Sequence, residues 1–210
     1  MMSGAPLTRV YVIRHGEADP AMRGRCCGRM DPRLSPQGSL QMKTAAAMLK
    51  EVDLRAVYAS PSHRAVESAL FLAPKGDLRI ESGFLEINFG RLEGLSYEEA
   101  ASRFPDVYRT WMKQPHLAAF PDGESFTSMR SRVVTAWKKL LRRHVGSTVV
   151  VVAHAGVNRV VLAEALRLRG RHLFRLGQDY GAVSLIEYRG RSSIVRLLNV
   201  SQAAFDAPSC

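Results

Sequence analysis

A three-layer α/β/α sandwich, with a mostly parallel sheet and an antiparallel edge, is the fold class that this 210-residue sequence predicts. Three observations carry the prediction. Apolar β-type runs alternate along the chain with stretches of helical periodicity, the pattern of strands joined by crossover helices. One run, Thr148-Val149-Val150-Val151-Val152-Ala153, shows no polar alternation, as a central strand covered on both faces requires. Two further apolar runs flank Arg189-Gly190-Arg191, which marks a hairpin and therefore an antiparallel edge.

The elements follow in order. Val10-Tyr11-Val12-Ile13 is the first strand, and it runs into Arg14-His15-Gly16-Glu17 and a Gly- and Arg-rich loop over 16–34. Ser35-Pro36 opens a helix to about Val52: a capping serine precedes a proline at the first helical position, where no N–H is needed. Ala56-Val57-Tyr58-Ala59 is a short second strand, and Ser60-Pro61 repeats the cap-plus-proline start for a helix through about Leu72. Leu78–Glu81 reads as a third strand. Residues 82–125 hold no clear strand and are expected to form a helical cap over the strand ends. Inside them Ser96-Tyr97-Glu98-Glu99 is a capping box, and Pro105 ends the short helix it begins. A long helix starts near Ser125, with Phe126, Met129, Val133, Trp137 and Leu140 at helical spacing, and feeds the strand over 148–153. A helix over about Asn158–Leu168 precedes the hairpin strands Val183–Tyr188 and Ser193–Leu198. No repeat, linker or low-complexity segment divides the chain. Residues 1–210 are therefore expected to form one domain, with 82–125 as an insertion over its working edge.

Composition narrows the class of protein. A hydrophobic content of 46% is ordinary for a globular chain. Met1-Met2-Ser3-Gly4-Ala5-Pro6 has neither a basic n-region nor an apolar h-region, and no run approaches the roughly 20 apolar residues of a membrane span. Cys26, Cys27 and Cys210 make no disulfide framework and no zinc spacing. A cytoplasmic protein without metal or cofactor is the expectation. The net charge of +11 favours anionic partners. The arginines are spread along the chain, with a dense patch only at Arg167-Leu168-Arg169-Gly170-Arg171-His172, and no nucleic-acid-binding signature accompanies them. A small phosphate monoester is the expected partner, rather than nucleic acid or membrane; whether the chain forms an oligomer is left open.

Two His-Gly elements point to the chemistry. Arg14-His15-Gly16-Glu17 and His154-Ala155-Gly156 each directly follow an apolar strand. Ligands of parallel α/β sheets bind at the carboxyl ends of the strands, so both histidines should reach one edge. Attack on a phosphomonoester there needs a nucleophile, positive groups on the non-bridging oxygens and a proton for the leaving oxygen. His15 can be the nucleophile if a hydrogen bond at one ring nitrogen leaves the other lone pair free. Arg14, Arg64 and His154 can supply the positive donors, and arginine matches phosphate bidentately. Arg64 stands in the first helical turn after a strand, where an anion is already favoured. For the proton donor, Glu86 in Leu85-Glu86-Ile87-Asn88-Phe89-Gly90 is best placed and Glu93 is the reserve. Like charge from a bound phosphate favours the protonated form of such an acid. The segment Met22–Arg29 either brings further arginines to the pocket mouth or is a solvated loop, and Ser35 is read as a helix cap.

Together these elements resemble the histidine phosphatase superfamily, also called phosphoglycerate mutase-like. The likeness covers nearly the whole chain, through Arg14-His15-Gly16-Glu17, Asp31-Pro32-Arg33-Leu34-Ser35-Pro36-Gln37-Gly38, Ala59-Ser60-Pro61-Ser62-His63-Arg64-Ala65, Leu85-Glu86 with Phe89-Gly90 and Glu93-Gly94, and His154-Ala155-Gly156-Val157. The resemblance implies a phosphoglycerate mutase-like fold and no metal. It also implies a phosphohistidine on His15, a phosphate pocket of Arg14, Arg64 and His154, and Glu86 as proton donor. Leu85–Gly94, Tyr108, Trp111 and Pro121-Asp122-Gly123-Glu124-Ser125 look like the α-ribazole phosphatases and broad-specificity phosphatases. The implied function is a phosphomonoesterase acting on a small phosphorylated metabolite, with α-ribazole 5′-phosphate a candidate. The stretch between Glu86 and His154 is shorter than in phosphoglycerate mutases, which leaves a mutase as the alternative. A catalytically silent phosphate-binding module is the alternative from another class.

Overall fold

The computed structural model describes residues 4–73 and 77–201; Met1–Ser3 and Cys210 lie outside the described residues. A six-stranded sheet has the order β3-β2-β4-β1-β5-β6, with β1 Leu7–Arg14, β2 Ala56–Ala59, β3 Leu78–Ile80, β4 Thr148–Ala153, β5 Val183–Arg189 and β6 Ser192–Val200. β1, β2, β3 and β4 run parallel, β5 lies antiparallel to β1, and β6 pairs antiparallel with β5. The α/β class and the antiparallel edge follow the sequence reading. Among the described residues six α-helices accompany the sheet: α1 Pro36–Met48, α2 His63–Leu70, α3 Tyr97–Arg103, α4 Pro105–Lys113, α5 Phe126–Arg143 and α6 Ala155–Leu166.

The unbroken apolar run of β4 is explained by its two faces. Val149, Val151 and Ala153 join the core beneath α5 and α6, with Met129, Val133, Trp137, Val157 and Val161. Val150 and Val152 turn the other way, onto Met42, Ala45 and Leu49 of the α1 segment and Ala69 of α2. Side chains alternate across a strand, so a strand with helices on both sides must be apolar at every position. Each buried valine contributes roughly 1.5–3 kcal/mol by leaving water.

Ser35 caps α1 by accepting a hydrogen bond from the Gly38 N–H at 2.9 Å, with Pro36 at the first helical position. The Ser96–Glu99 capping box is present with both of its bonds. Segment 82–125 contains helical pieces, α3 and α4 among them, and no named strand.

Among the boundaries that differ from the sequence reading, four are informative. α1 stops at Met48 rather than near Val52, in a turn closed by the Leu49 N–H on the Ala46 carbonyl. Pro105 does more than end α3, because it occupies the first turn of α4. α2 begins at His63 with Ser62 at its cap, so Ser60-Pro61 is not the start expected. α6 begins at Ala155 rather than Asn158, which makes His154 its N-cap residue. The last two differences matter for the site.

Candidate active site

β1 and β4 are hydrogen-bonded neighbours whose last paired residues are Arg14 and Ala153, so His15 and His154 leave the sheet side by side. Their rings meet edge to face with centroids 5.0 Å apart. Arg64, from the first turn of α2, enters between them and is almost fully buried. Its Nε donates to His15 Nε2 at 3.2 Å and its Nη2 to His154 Nδ1 at 3.3 Å. The rest of its fork is held by the Met30 carbonyl at 2.6 Å and the Gly28 carbonyl at 2.8 Å. One guanidinium thus fixes two imidazoles and a loop.

These bonds define the tautomers. His15 Nδ1 donates to the carbonyl of Gly16 at 2.7 Å, leaving its Nε2 lone pair on the pocket side under the Arg64 N–H. Gly16 packs against the Gly38 backbone so closely that any side chain there would collide with it. His154 accepts at Nδ1, so its Nε2–H donates to Ser60 Oγ at 2.8 Å. That bond explains the misplaced helix start: the Ser60 hydroxyl orients an imidazole instead of capping α2. Burial, followed by the charges of Arg64 and Arg14, pushes the His15 pKa well below the ordinary 6.5. Burial and Arg64 do the same to His154. Both rings are neutral, which suits a nucleophile. His154 carries no charge in the free site and gains one by taking a proton at Nδ1. An incoming dianion favours that step.

The sign of these shifts gives a stability prediction. Below pH 6.5 the unfolded chain binds protons at these histidines that the folded chain refuses, so stability is full above that value and declines as pH falls. In phosphate-free buffer the melting temperature should drop between about pH 7 and about pH 5.5, ahead of the carboxylate range, and His154→Asn should flatten the drop. A melting temperature flat over that interval in the wild type contradicts two buried neutral rings.

Arg14 supplies the second guanidinium. It stacks 3.6 Å above the centroid of the Tyr180 ring, and Nη1 donates to the Gln178 carbonyl. Its Nε is buried with no partner among the described residues. An unpaired buried donor is costly, about 1–3 kcal/mol, unless a ligand meets it. Desolvation lowers the Arg14 pKa, a further sign of a charge awaiting a counter-ion.

Glu86 reaches the same cavity, of about 180 Å³, from the segment 82–125. Its Oε2 accepts from the Gly156 N–H at 2.9 Å and its Oε1 from the Ile87 N–H at 2.9 Å. Gly156 has no side chain because the Glu86 carboxylate occupies that space. Arg132 of α5 holds the segment in place through the carbonyls of Gly83, Leu85 and Glu86, while bonding Glu124 at 2.7 Å. Glu93, the reserve acid, is elsewhere engaged. Its Oε1 accepts from the Arg29 and Phe89 N–H groups, each at 2.9 Å, its Oε2 from the Met30 N–H at 3.1 Å, and it does not line the cavity.

The arginines of the loop at 22–29 are largely tied to protein. Arg23 bonds Glu17 at 2.6 Å, Arg25 meets Glu99 and the Gly94 carbonyl, and Arg29 donates to the Glu86 carbonyl. A short backbone ladder, Cys26 N–H to Leu95 O and Gly94 N–H to Cys26 O, staples this loop to the segment 82–125. Of the three, only Arg25 lines the cavity. The sequence reading took Ser60 for a helix cap and did not single out Gln178, Tyr180, Arg132 or Arg159. Arg159 carried a signal, lying one turn into the helix that starts at the second histidine. Tyr180, in the loop before β5, carried none. Among the described residues no group of three or more His, Cys, Asp or Glu is placed to hold a metal ion, and no helix is long and apolar enough to cross a membrane.

Comparison with known proteins gives the family and the fold. The family model described as "Histidine phosphatase superfamily (branch 1)" matches residues 10–201. Phosphoserine phosphatase 1 of Hydrogenobacter thermophilus is 30% identical over 197 residues, covering 93% of either chain. A bifunctional protein of Mycobacterium tuberculosis is 34% identical over 200 residues, but this chain spans only 54% of its length. The α-ribazole phosphatase structure from Shigella flexneri superimposes with a TM-score of 0.82, covering 91% of this chain and 96% of that one; at 23% identity it speaks for the fold alone.

Proposed function

The chain belongs to the histidine phosphatase superfamily, and from that premise we propose that it is a metal-independent phosphomonoesterase working through a phosphohistidine on His15. The observation that carries the reading is the His15 ring. It is neutral, has its proton fixed on Nδ1, and presents the Nε2 lone pair to a cavity also lined by Arg14, Arg64 and Glu86.

The steps follow from this arrangement. Nε2 attacks phosphorus as the ester oxygen departs, and Glu86 protonates that oxygen. Arg14 and Arg64 stay on the non-bridging oxygens, where charge redistributes in the transition state. The Arg64 Nε–H, which covers Nε2 in the free site, moves to a phosphate oxygen and uncovers the lone pair. Glu86, now a carboxylate, takes a proton from water; the hydroxide attacks phosphorus, the N–P bond breaks and inorganic phosphate leaves. No step needs a metal ion. The substrate is a small phosphorylated metabolite. Phosphoserine enters through the 30%-identical relative, and α-ribazole 5′-phosphate remains in view because Phe89, Tyr97, Trp111 and Phe174 line the cavity with aromatic surface.

The test is hydrolysis of p-nitrophenyl phosphate in the presence of a chelator. Sustained turnover is expected. A silent binding module gives none, and activity lost to chelator and restored by metal contradicts the mechanism.

A further inference from the structure

Of the two charged cavity residues that the phosphate chemistry does not use, Arg159 and Arg25, Arg159 is the one without an ion pair among the described residues. It rises from the first turns of α6, is held by its Nε on the Leu176 carbonyl at 3.0 Å, and lies 5.4 Å from the centroid of the Phe174 ring. Its two terminal nitrogens have no protein partner among the described residues, and it forms no ion pair there. That sets it apart from Arg25, the other arginine at the mouth, which bonds Glu99 at 3.3 Å. Desolvation and the neighbouring Arg14 both lower the Arg159 pKa, so two like charges are held close together away from bulk water. The Glu86 carboxylate offsets part of that repulsion, and a second anionic group on the ligand would offset more of it. Tyr97 lines the same cavity, within electrostatic reach of Arg159 and Arg14, and its hydroxyl has no partner among the described residues.

Resting on the phosphomonoesterase reading, we propose that Arg159 and the Tyr97 hydroxyl form a second anion subsite, which holds a substrate carboxylate while Arg14 and Arg64 hold the phosphate. The substrate class is then the phosphomonoester of a small hydroxy acid. Arg159 presents its two outer N–H groups as a fork, the geometry that suits a carboxylate. Tyr97 adds a neutral donor that does not add to the positive charge. A flat aromatic alcohol leaves both groups unmatched.

O-Phosphoserine and O-phosphoethanolamine isolate the point. They share the phosphate, the primary alkoxide leaving group and the amine, and differ in the carboxylate. The wild type should favour O-phosphoserine. The ratio of the two kcat/KM values should fall about 10- to 100-fold in Arg159→Gln and about 3- to 10-fold in Tyr97→Phe, mainly through KM. Vanadate protection against heat reports whether the phosphate pocket survives in each variant; should Arg159→Gln lose it, Tyr97→Phe, which keeps the ring, decides the matter. A wild-type ratio near one, or a ratio unchanged in Tyr97→Phe, overturns the subsite. So does turnover of p-nitrophenyl phosphate with neither amine phosphate accepted. No turnover of any of the three overturns the phosphomonoesterase reading instead.

Discussion

His15→Ala should lower turnover by about 10⁴- to 10⁶-fold, the scale on which loss of a covalent nucleophile is felt. In His154 the proton sits on Nε2, against Ser60, so its lone pair is on Nδ1 rather than on Nε2 as in His15. Cys27 lines the cavity, but burial raises its thiol pKa, which keeps it protonated and poorly nucleophilic. His154→Ala and Arg64→Ala should leave residual activity, because they remove shared stabilisation of the transferring group rather than the bond-forming atom. Arg64→Ala should also destabilise the fold, since the Met30 and Gly28 carbonyls lose their donor, at about 1–3 kcal/mol for each group stranded. Steady-state rates taken beside melting curves separate the two effects. Substantial turnover by well-folded His15→Ala contradicts the assignment.

Glu86→Gln carries the second large effect, and its signature is a dependence on the leaving group. For esters of alkyl alcohols the rate should fall by about 10²- to 10⁴-fold, since the alkoxide cannot leave without a proton. p-Nitrophenolate leaves unprotonated, so the loss should be smaller there, though not absent, because the same carboxylate activates water in the second half. The absolute rate is a poor guide by itself. Both carboxylate oxygens accept backbone N–H groups, from Gly156 and Ile87, and a glutamine must turn its own N–H₂ against one of them. Part of any loss is therefore positional. The slope against leaving-group pKa removes that part, being common to all substrates. Glu93→Gln disturbs the bonds from the backbone N–H groups of Arg29, Met30 and Phe89 and should leave the slope as it was. If the slope changes with Glu93 and not with Glu86, the acid has been misassigned.

The sheet was legible because burial writes directly into residue type. β4 has to be apolar at every position between two helical layers, and Pro36 and the Ser96–Glu99 box mark helix starts through local hydrogen bonding. Strand-end placement of His15 and His154 followed from the same logic, because adjacent parallel strands must deliver their ends together. Where local chemistry served a distant partner, the reading slipped. Ser60 looks like a cap but bonds His154, and α6 starts three residues early because His154 is itself its cap residue. The tautomer of His154, decided by a guanidinium from another helix, lies beyond any local pattern. The same holds for Tyr180 under Arg14 and for the pairing of the loop arginines with Glu17, Glu99 and the Glu86 carbonyl. Long-range pairs decide which charges remain free for a ligand, and composition does not reveal them.

The central claim is that one atom, Nε2 of His15, becomes phosphorylated. It is tested most directly by mixing the enzyme with ³²P-labelled substrate, quenching within one turnover under alkaline conditions that preserve phosphohistidine, and mapping the label by peptide and by ring nitrogen. The structure predicts an acid-labile phosphoramidate on Nε2 of His15, formed and lost at rates compatible with turnover and absent from His15→Ala. Label on Nδ1, on another residue, or persisting in His15→Ala contradicts the account.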